Sequence, residues 1–416
     1  MGQAGPVARH LVGESLEMEQ YDFIFAGGGL AGLSLAYHLA HSPLRDGKML
    51  IVDREAKTRN DRTWCFWTTQ PTCFDRIVAR EWTRFNFVGD QFEHEIELEK
   101  YRYKLISGID LYQMAHQELS ALANVEFRQG KVERVEDGPQ AARVYVGGQA
   151  YSGRWLFDSR FDSRAVHPDP ARSHCLWQHF KGWEIETAQP AFNPDAATLL
   201  DFRTPQRQAM RFFYLLPFSR RRALVEYVSL GRDEYDSVLR EYVEKTLRIR
   251  DYRIVSQEGG VSPLTDHVFP RRAGECIMNI GTRGGRIKPS TGYAFVRIQQ
   301  DSQAIVRSLL ANGHPFDVPS DSRRYRLYDS LMLDIMQHHG DEIKPIFTAL
   351  FKNNPITRVL RFLDEQGSPA ENALLIASLP PKLFLQALFM LHASPLSSLA
   401  PERSPVGSIE IYKEDR

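Results

Sequence analysis

Apolar residues in this chain fall first in short unbroken runs, then in alternation, and finally at helical spacing. "YDFIFAGGGLAGLSLAYHLAHS" opens with Phe23-Ile24-Phe25-Ala26, a run suited to a strand buried on both faces. A glycine turn follows, then a helix with Leu30, Leu33 and Tyr37 on one stripe. "KMLIVDRE" repeats the buried-strand pattern and ends at Asp53, whereas "FNFVGDQFEHEIELEKYRYKLISG" alternates as antiparallel strands do. "DLYQMAHQELSALANVEFRQGKVERVE" predicts a helix and then a strand, and "YSGRWLFDSRFDSR" predicts a strand ending at Asp158. Residues 174–270 are strand-rich and punctuated by Pro and Gly, as in a meander. "CIMNIGTRGGRIKPSTGYAFVRIQQDSQAIVRSLL" returns to strand, glycine-rich loop and helix, with the helix starting near Thr291. From roughly 323 to 395 the pattern is helical.

This order predicts an α/β protein. A Rossmann-like dinucleotide-binding domain would be built from 21–173 and 271–322, with a strand-rich antiparallel substrate domain, 174–270, inserted in it. A helical C-terminal region, 323–416, would follow, and 1–20 would be a loose extension. Gly27, Gly29 and Gly32 stand at the G-x-G-x-x-G spacing, within the turn Gly27, Gly28, Gly29, Leu30, Ala31, Gly32. The first permits the tight turn, the second lets a pyrophosphate approach the backbone, and the third lets helix and strand pack closely. Asp53, followed by Arg54, lies about twenty residues beyond, where a ribose-binding carboxylate belongs. The motif opens the fold and has no second copy, so one tightly held dinucleotide is expected, FAD rather than NAD.

Composition narrows the classes. At 416 residues the chain is long enough for two domains, and 43% apolar with 25% charged residues is ordinary for a globular protein. The 52 basic and 52 acidic residues cancel, so nothing global steers the protein to nucleic acid. Cys65, Cys73, Cys175 and Cys276 are scattered without a CxxC, which reads as a reduced, cytoplasmic chain without a zinc site. His338 and His339 have no partner set at metal-ligand spacing. No internal repeat, signal peptide or uninterrupted eighteen-residue apolar stretch is present. "ALLIASLPPKLFLQALFML" is broken by Pro380, Pro381 and Lys382, so a helical hairpin that packs in the core or dips into one leaflet is expected rather than a spanning helix.

Two features carry chemistry. "NDRTWCFWTTQPTCF" crowds aromatics around Cys65, either as core or as the lining of an apolar pocket. "RALVEYVSL" sets Glu226 into an otherwise apolar strand, where an ionised carboxylate costs several kcal/mol unless it is paired or protonated. Glu226 either points outward, pairs with one of Arg220, Arg221 and Arg222, or faces an apolar site with a raised pKa and trades protons there.

Taken together, "FAGGGLAGLSLAYHL", "NDRTWCFW", "FDSR", "QHFKGWEIE", "FYLLPFSRRRALVEYVSL" and "GTRGGRIKPSTGYAF" resemble the bacterial lycopene β-cyclase family over about residues 21–300. The resemblance implies an FAD enzyme, active with the flavin reduced and with NAD(P)H as donor. It would close the ψ-ends of lycopene into β-ionone rings, an isomerisation without net redox change that gives γ-carotene and β-carotene. It implies lycopene and related carotenoids as ligands, other enzymes of carotenoid synthesis as partners, and a cytoplasmic protein held peripherally on the inner face of the cell membrane. Glu226 matches the family's active-site carboxylate. Gly27, Gly29, Gly32 and Asp53 match its dinucleotide turn, and Asp158 and Arg160 its D-x-R segment near the flavin. Gln178, Phe180 and Gly182 match a Q-x-F-x-G strand, and Gly281, Gly285, Lys288, Pro289, Thr291 and Gly292 the loop over the isoalloxazine. Many members carry a second acid directly after the Glu; here Tyr227 stands there, which counts against paired carboxylates on that strand. The competing enzyme class is an FAD-dependent hydroxylase of an apolar substrate, against which Thr282 stands where a G-D dipeptide is usual. A carotenoid- or flavin-binding protein without catalysis is the non-enzyme alternative, and the acid in the apolar strand argues against it.

Overall fold

The computed structural model describes residues 19–393, apart from 90, 163–168 and 170–171. Nearly all of the expected N-terminal extension, and the chain beyond 393, therefore lie outside the described residues. The nucleotide-side sheet runs in the order Val125–Gln129, Met49–Asp53, Gln20–Ala26, Gln149–Asp158, and these four strands are parallel. Ile277–Asn279 adds in parallel to the end of Gln149–Asp158, and Ala142–Val146 with Val132–Glu136 completes the other end by antiparallel pairing. Phe23, Ile24, Phe25 and Ala26 are all buried, as expected of a parallel strand covered on both faces. Helices Leu30–Ala40 and Phe295–Asn312 pack together over one face, with Leu33, Ala36, Ile298 and Ile305 in a shared core.

The second sheet has seven strands in the order Tyr252–Thr265, Cys175–Thr187, Arg222–Ser229, Arg211–Pro217, Ala196–Asp201, Arg84–Val88 and Glu93–Glu97. It therefore takes two strands from before residue 174, so the inserted sheet is not confined to 174–270. The parallel pairing of Arg84–Val88 with Ala196–Asp201 explains the difference, because it closes the apolar core around Phe85, Phe87 and Phe351. Helix Tyr235–Glu241 and the π turn Tyr242–Thr246 cover one face, over Trp183, Val225 and Tyr227. The other face meets a small sheet of Thr63–Thr68, Arg102–Ser107 and Arg80–Trp82, together with the C-terminal helices.

Those helices are Arg323–His338, Ile343–Asn353, Ile356–Leu363, Pro369–Ala377 and Pro381–Ala393. Pro369–Ala377 starts at a capping box between Ser368 and Glu371, which accounts for its abrupt beginning after Gly367. His174 ties this region to the sheet, contacting Asp266 at 2.9 Å and Asp334 at 3.5 Å. Burial opposes its charge, but the two carboxylates outweigh that and raise its pKa to about 9. No single helix among the described residues is long and apolar enough to cross a membrane. Pro369–Ala377 and Pro381–Met390 form an apolar pair bent by 113°.

Candidate active site

The glycine turn emerges from Gln20–Ala26 at the carboxyl ends of the parallel strands, the usual ligand edge of such a sheet. Gly27 has φ +119°, and a Cβ there would lie 2.2 Å from Ser159 Oγ. At Gly32 a Cβ would lie 2.0 Å from the Gly27 carbonyl oxygen, so this glycine is needed for the turn to fold onto its helix. Gly29 differs: a Cβ there meets nothing within 4 Å, and the helix beginning at Leu30 has no side-chain cap. Free space beside an uncapped helix start, at the edge where a phosphate would sit, fits a dinucleotide. Gly28 N–H donates to Asp53 Oδ2 at 2.7 Å, and Asp53 Oδ1 accepts from Glu55 N–H at 2.8 Å. Arg54, exposed, pairs with Glu55.

The second glycine segment is brought onto the first. Gly281 adopts φ +59° with its Cα so close to Ala31 that a Cβ would lie 2.7 Å from the Ala31 Cβ. Asp158 is buried and accepts from Arg160 at 2.8 Å, with Arg283 of this second segment at 3.3 Å. These residues thus form an ion cluster in which the buried Asp158 carboxylate holds two half-exposed arginines. Gly285 and Gly292 both have positive φ, and the loop between Lys288 and Tyr293, which includes Pro289 and Thr291, is closed by backbone hydrogen bonds at both ends. The following helix begins at Phe295 rather than near Thr291, because the left-handed Gly292 interrupts the turn. Lys288 is buried and its ammonium is spent on Asp329, at 2.7 Å, and Glu365, at 2.9 Å, so it anchors the loop to the C-terminal helices. A Cβ at Gly292 would lie 3.1 Å from Gln178 Oε1, which places this loop directly against the second sheet.

Glu226 sits on that side. Tyr214, Glu226, Gly182 and Glu258 are mutual register partners across four antiparallel strands, and so form one row on one face. Strands two places apart are separated by about 9–10 Å, so the Glu226 and Glu258 side chains, on the same face, extend toward one another over Gly182. Gly182 makes this meeting possible: a Cβ there would be 3.2 Å from Glu258 Cγ and 3.6 Å from Glu226 Cβ. Thr63 Oγ1 and Asn60 Nδ2 donate to Glu258 Oε2 at 2.8 and 3.2 Å. Glu258 Oε1 is buried with no hydrogen-bond partner. Burial, and then the neighbouring Glu258, push Glu226 well above the usual carboxylate range; burial raises Glu258 as well, opposed by the hydrogen bond from Thr63. Of the two, Glu258 holds the donors that steady a negative charge, while burial drives Glu226 toward its neutral form. Neither outward orientation nor an arginine partner applies, since Arg222 pairs with Glu184 instead. Tyr227 lies on the opposite face and donates to Asp233.

Aromatic hydroxyls and rings surround Glu226. Tyr293, one residue after Gly292, has its hydroxyl 3.4 Å from that of Tyr214 and 3.5 Å from that of Tyr103. Its ring lies 4.6 Å from Trp67, whose indole N–H donates to Asp364 at 2.7 Å. Burial first of all raises Asp364 to about 7. Cys65 also lies near the pair, and burial keeps it a neutral thiol. The aromatic stretch alternates between two cores: Phe66 stacks on Phe295 at 4.4 Å on the nucleotide side, and Trp67 packs against Tyr293 on the side of Glu226. Sequence reasoning missed Tyr103, Tyr214, Tyr293 and Glu258. For Glu258 the signal is weak, because "SQEGGVS" reads as a polar loop.

In fold the chain resembles a structural class of Rossmann-type flavoproteins. A flavoprotein/dehydrogenase from Cytophaga hutchinsonii superposes with TM-score 0.61 at 12% identity, covering 90% of this chain and all of that one. A flavin-dependent brominase gives 0.56 at 14% identity, covering 90% and 99%. Within that class, the profile of the lycopene cyclase protein family matches residues 22–389, and the chain belongs to this family. A lycopene beta-cyclase from Paracoccus sp. (strain N81106 / MBIC 01143) is 27% identical over 305 residues, 66% of this chain and 70% of that protein. A chloroplastic neoxanthin synthase from Solanum tuberosum is 24% identical over 308 residues, 67% of this chain and 58% of that protein.

Proposed function

We propose that this protein is a lycopene β-cyclase that closes the ψ-ends of lycopene into β-ionone rings, through γ-carotene to β-carotene, with no net oxidation. The observation that carries this reading is Glu226: a carboxyl among buried aromatic side chains, beside Glu258 and the loop of Gly292 and Tyr293, where burial drives it toward its protonated form. Lycopene is a hydrocarbon, so it offers the pocket only apolar surface and double bonds. Glu226 delivers its proton to the terminal double bond, the neighbouring alkene attacks the tertiary cation, and loss of a ring proton leaves the β-ring. Tyr103, Tyr214, Tyr293 and Trp67 exclude water and turn π faces toward the cation. FAD would be held by Gly27–Gly32, Asp53 and the segment from Gly281 to Gly292, with NAD(P)H keeping it reduced. When bound and reduced, it supplies negative charge near the cation. Expression in a lycopene-accumulating host should yield cyclic hydrocarbons on pigment chromatography; oxygenated pigment would support the hydroxylase class, and unchanged lycopene a binding protein.

The substrate dissolves in lipid, and we place the bent helical pair at the inner membrane surface. Leu374, Leu385, Phe389 and Met390 are between 52% and 75% exposed there, more than a core hairpin requires. The full chain should co-sediment with phosphatidylglycerol vesicles. The double substitution Leu385→Glu with Phe389→Glu should weaken this by at least about tenfold, since each such side chain contributes roughly 1.5–3 kcal/mol when taken out of water. Unchanged sedimentation would place membrane contact elsewhere.

A further inference from the structure

We propose that Glu258 is a positioning carboxylate that shares one proton with Glu226 and resets it after each ring closure. The inference rests on the cyclase reading above and deepens it. Its basis is geometric. Strand Tyr252–Thr265 brings Glu258 to the same row as Glu226, and Gly182, lying between them, has no side chain to hold them apart. Glu258 Oε2 is fixed by Thr63 and Asn60, which leaves Oε1 buried with no hydrogen-bond partner, on the row it shares with Glu226. The second acid missing at Tyr227 is thus supplied from two strands away.

The proton balance closes within the pair. At rest it holds one proton, on Glu226, and one negative charge. The Glu226 O–H bond breaks as a C–H bond forms on the polyene, leaving two carboxylates facing one carbocation. The second alkene's π electrons form the ring C–C bond. The electron pair of a ring C–H bond then becomes the ring double bond, and that proton passes to Glu226. No electrons leave the substrate and no co-reactant is consumed. The negative Glu258 makes the deprotonated Glu226 a stronger base, which favours this return over capture of the cation by water.

The groups facing the pair explain why one proton stays. Cys65, Tyr214 and Tyr293 face Glu226, and burial keeps all three neutral. Asp61 and Arg62 face Glu258 with opposite effects. As an acid, Glu226 acts only while protonated, so activity is present below its pKa and fails as pH rises through it. Removing the Glu258 charge lowers that pKa, so the alkaline limb must move to lower pH.

The test uses the FAD-loaded full chain on lycopene in vesicles, with kcat followed against pH. Glu258→Gln should load FAD and keep KM, lose roughly 10²-fold in kcat, as expected when a proton-transfer partner is lost, and shift the alkaline limb acidward. A wild-type limb and rate in Glu258→Gln would overturn the proposal. Should that variant not fold, Gly182→Ala serves instead. Its methyl would press on Leu224 Cδ1 at 2.9 Å and Glu258 Cγ at 3.2 Å, so Glu258 gives way and the limb should move the same way, whereas a lowered rate with an unmoved limb would leave Glu258 purely structural. If the wild type itself makes no cyclic product, the cyclase reading fails; if only the Glu258 and Gly182 variants behave as wild type, the proton-sharing pair fails alone.

Discussion

Glu226→Gln should give a folded, flavin-loaded protein whose lycopene cyclisation is lower by roughly 10²–10⁴-fold, the range typical of losing a general acid. Glutamine fills the same volume, and its amide can donate to the buried Glu258 Oε1, so the row from Tyr214 to Glu258 keeps its packing. What disappears is the transferable proton. The nucleotide-side sheet shares no strand with the Glu226 sheet, so flavin content should not change. Glu226→Asp should keep partial activity, since its acid is present but one methylene short of its position. Tyr227→Phe should cost far less, because that hydroxyl faces Asp233 on the other side of the sheet. Turnover by FAD-loaded proteins, separated by pigment chromatography, checks all three.

Gly29→Val should yield a folded protein with no flavin. Nothing lies within 4 Å of a Cβ at this position, so the side chain enters free space without disturbing the chain, and occupies the approach to the uncapped helix. Gly32→Ala makes the contrast. Its methyl would meet the Gly27 carbonyl oxygen at 2.0 Å, so that variant should lose fold and flavin together. Flavin absorbance per chain, read beside far-ultraviolet circular dichroism, distinguishes the two. A fully yellow Gly29→Val protein would contradict a dinucleotide on this turn.

The nucleotide half of the fold was legible because its signals are local. Phe23 to Ala26, the glycines and Asp53 state strand, turn and ligand edge within about thirty residues. Glu226 was legible as an anomaly, a charge in an apolar strand. Its partner was not, since Glu258 is 32 positions further on, in a stretch whose glycines and serines mimic a loop. Only the register across Gly182 puts the two acids together, and register between distant strands is set by the packing of whole faces. The strands Arg84–Val88 and Glu93–Glu97 joined the second sheet for the same kind of reason, through a long-range parallel pairing that alternation cannot reveal. The anchoring of Lys288 was equally hidden, because its partners Asp329 and Glu365 are supplied by distant parts of the chain.

The most direct measurement is the product formed by purified, FAD-loaded protein from lycopene, with the flavin chemically reduced and oxygen excluded. The expected result is many turnovers to β-carotene and γ-carotene, both isomeric with lycopene, with no NAD(P)H consumed in proportion. A requirement for O₂, or a product whose mass includes oxygen, would contradict acid-initiated cyclisation and make the protein a hydroxylase.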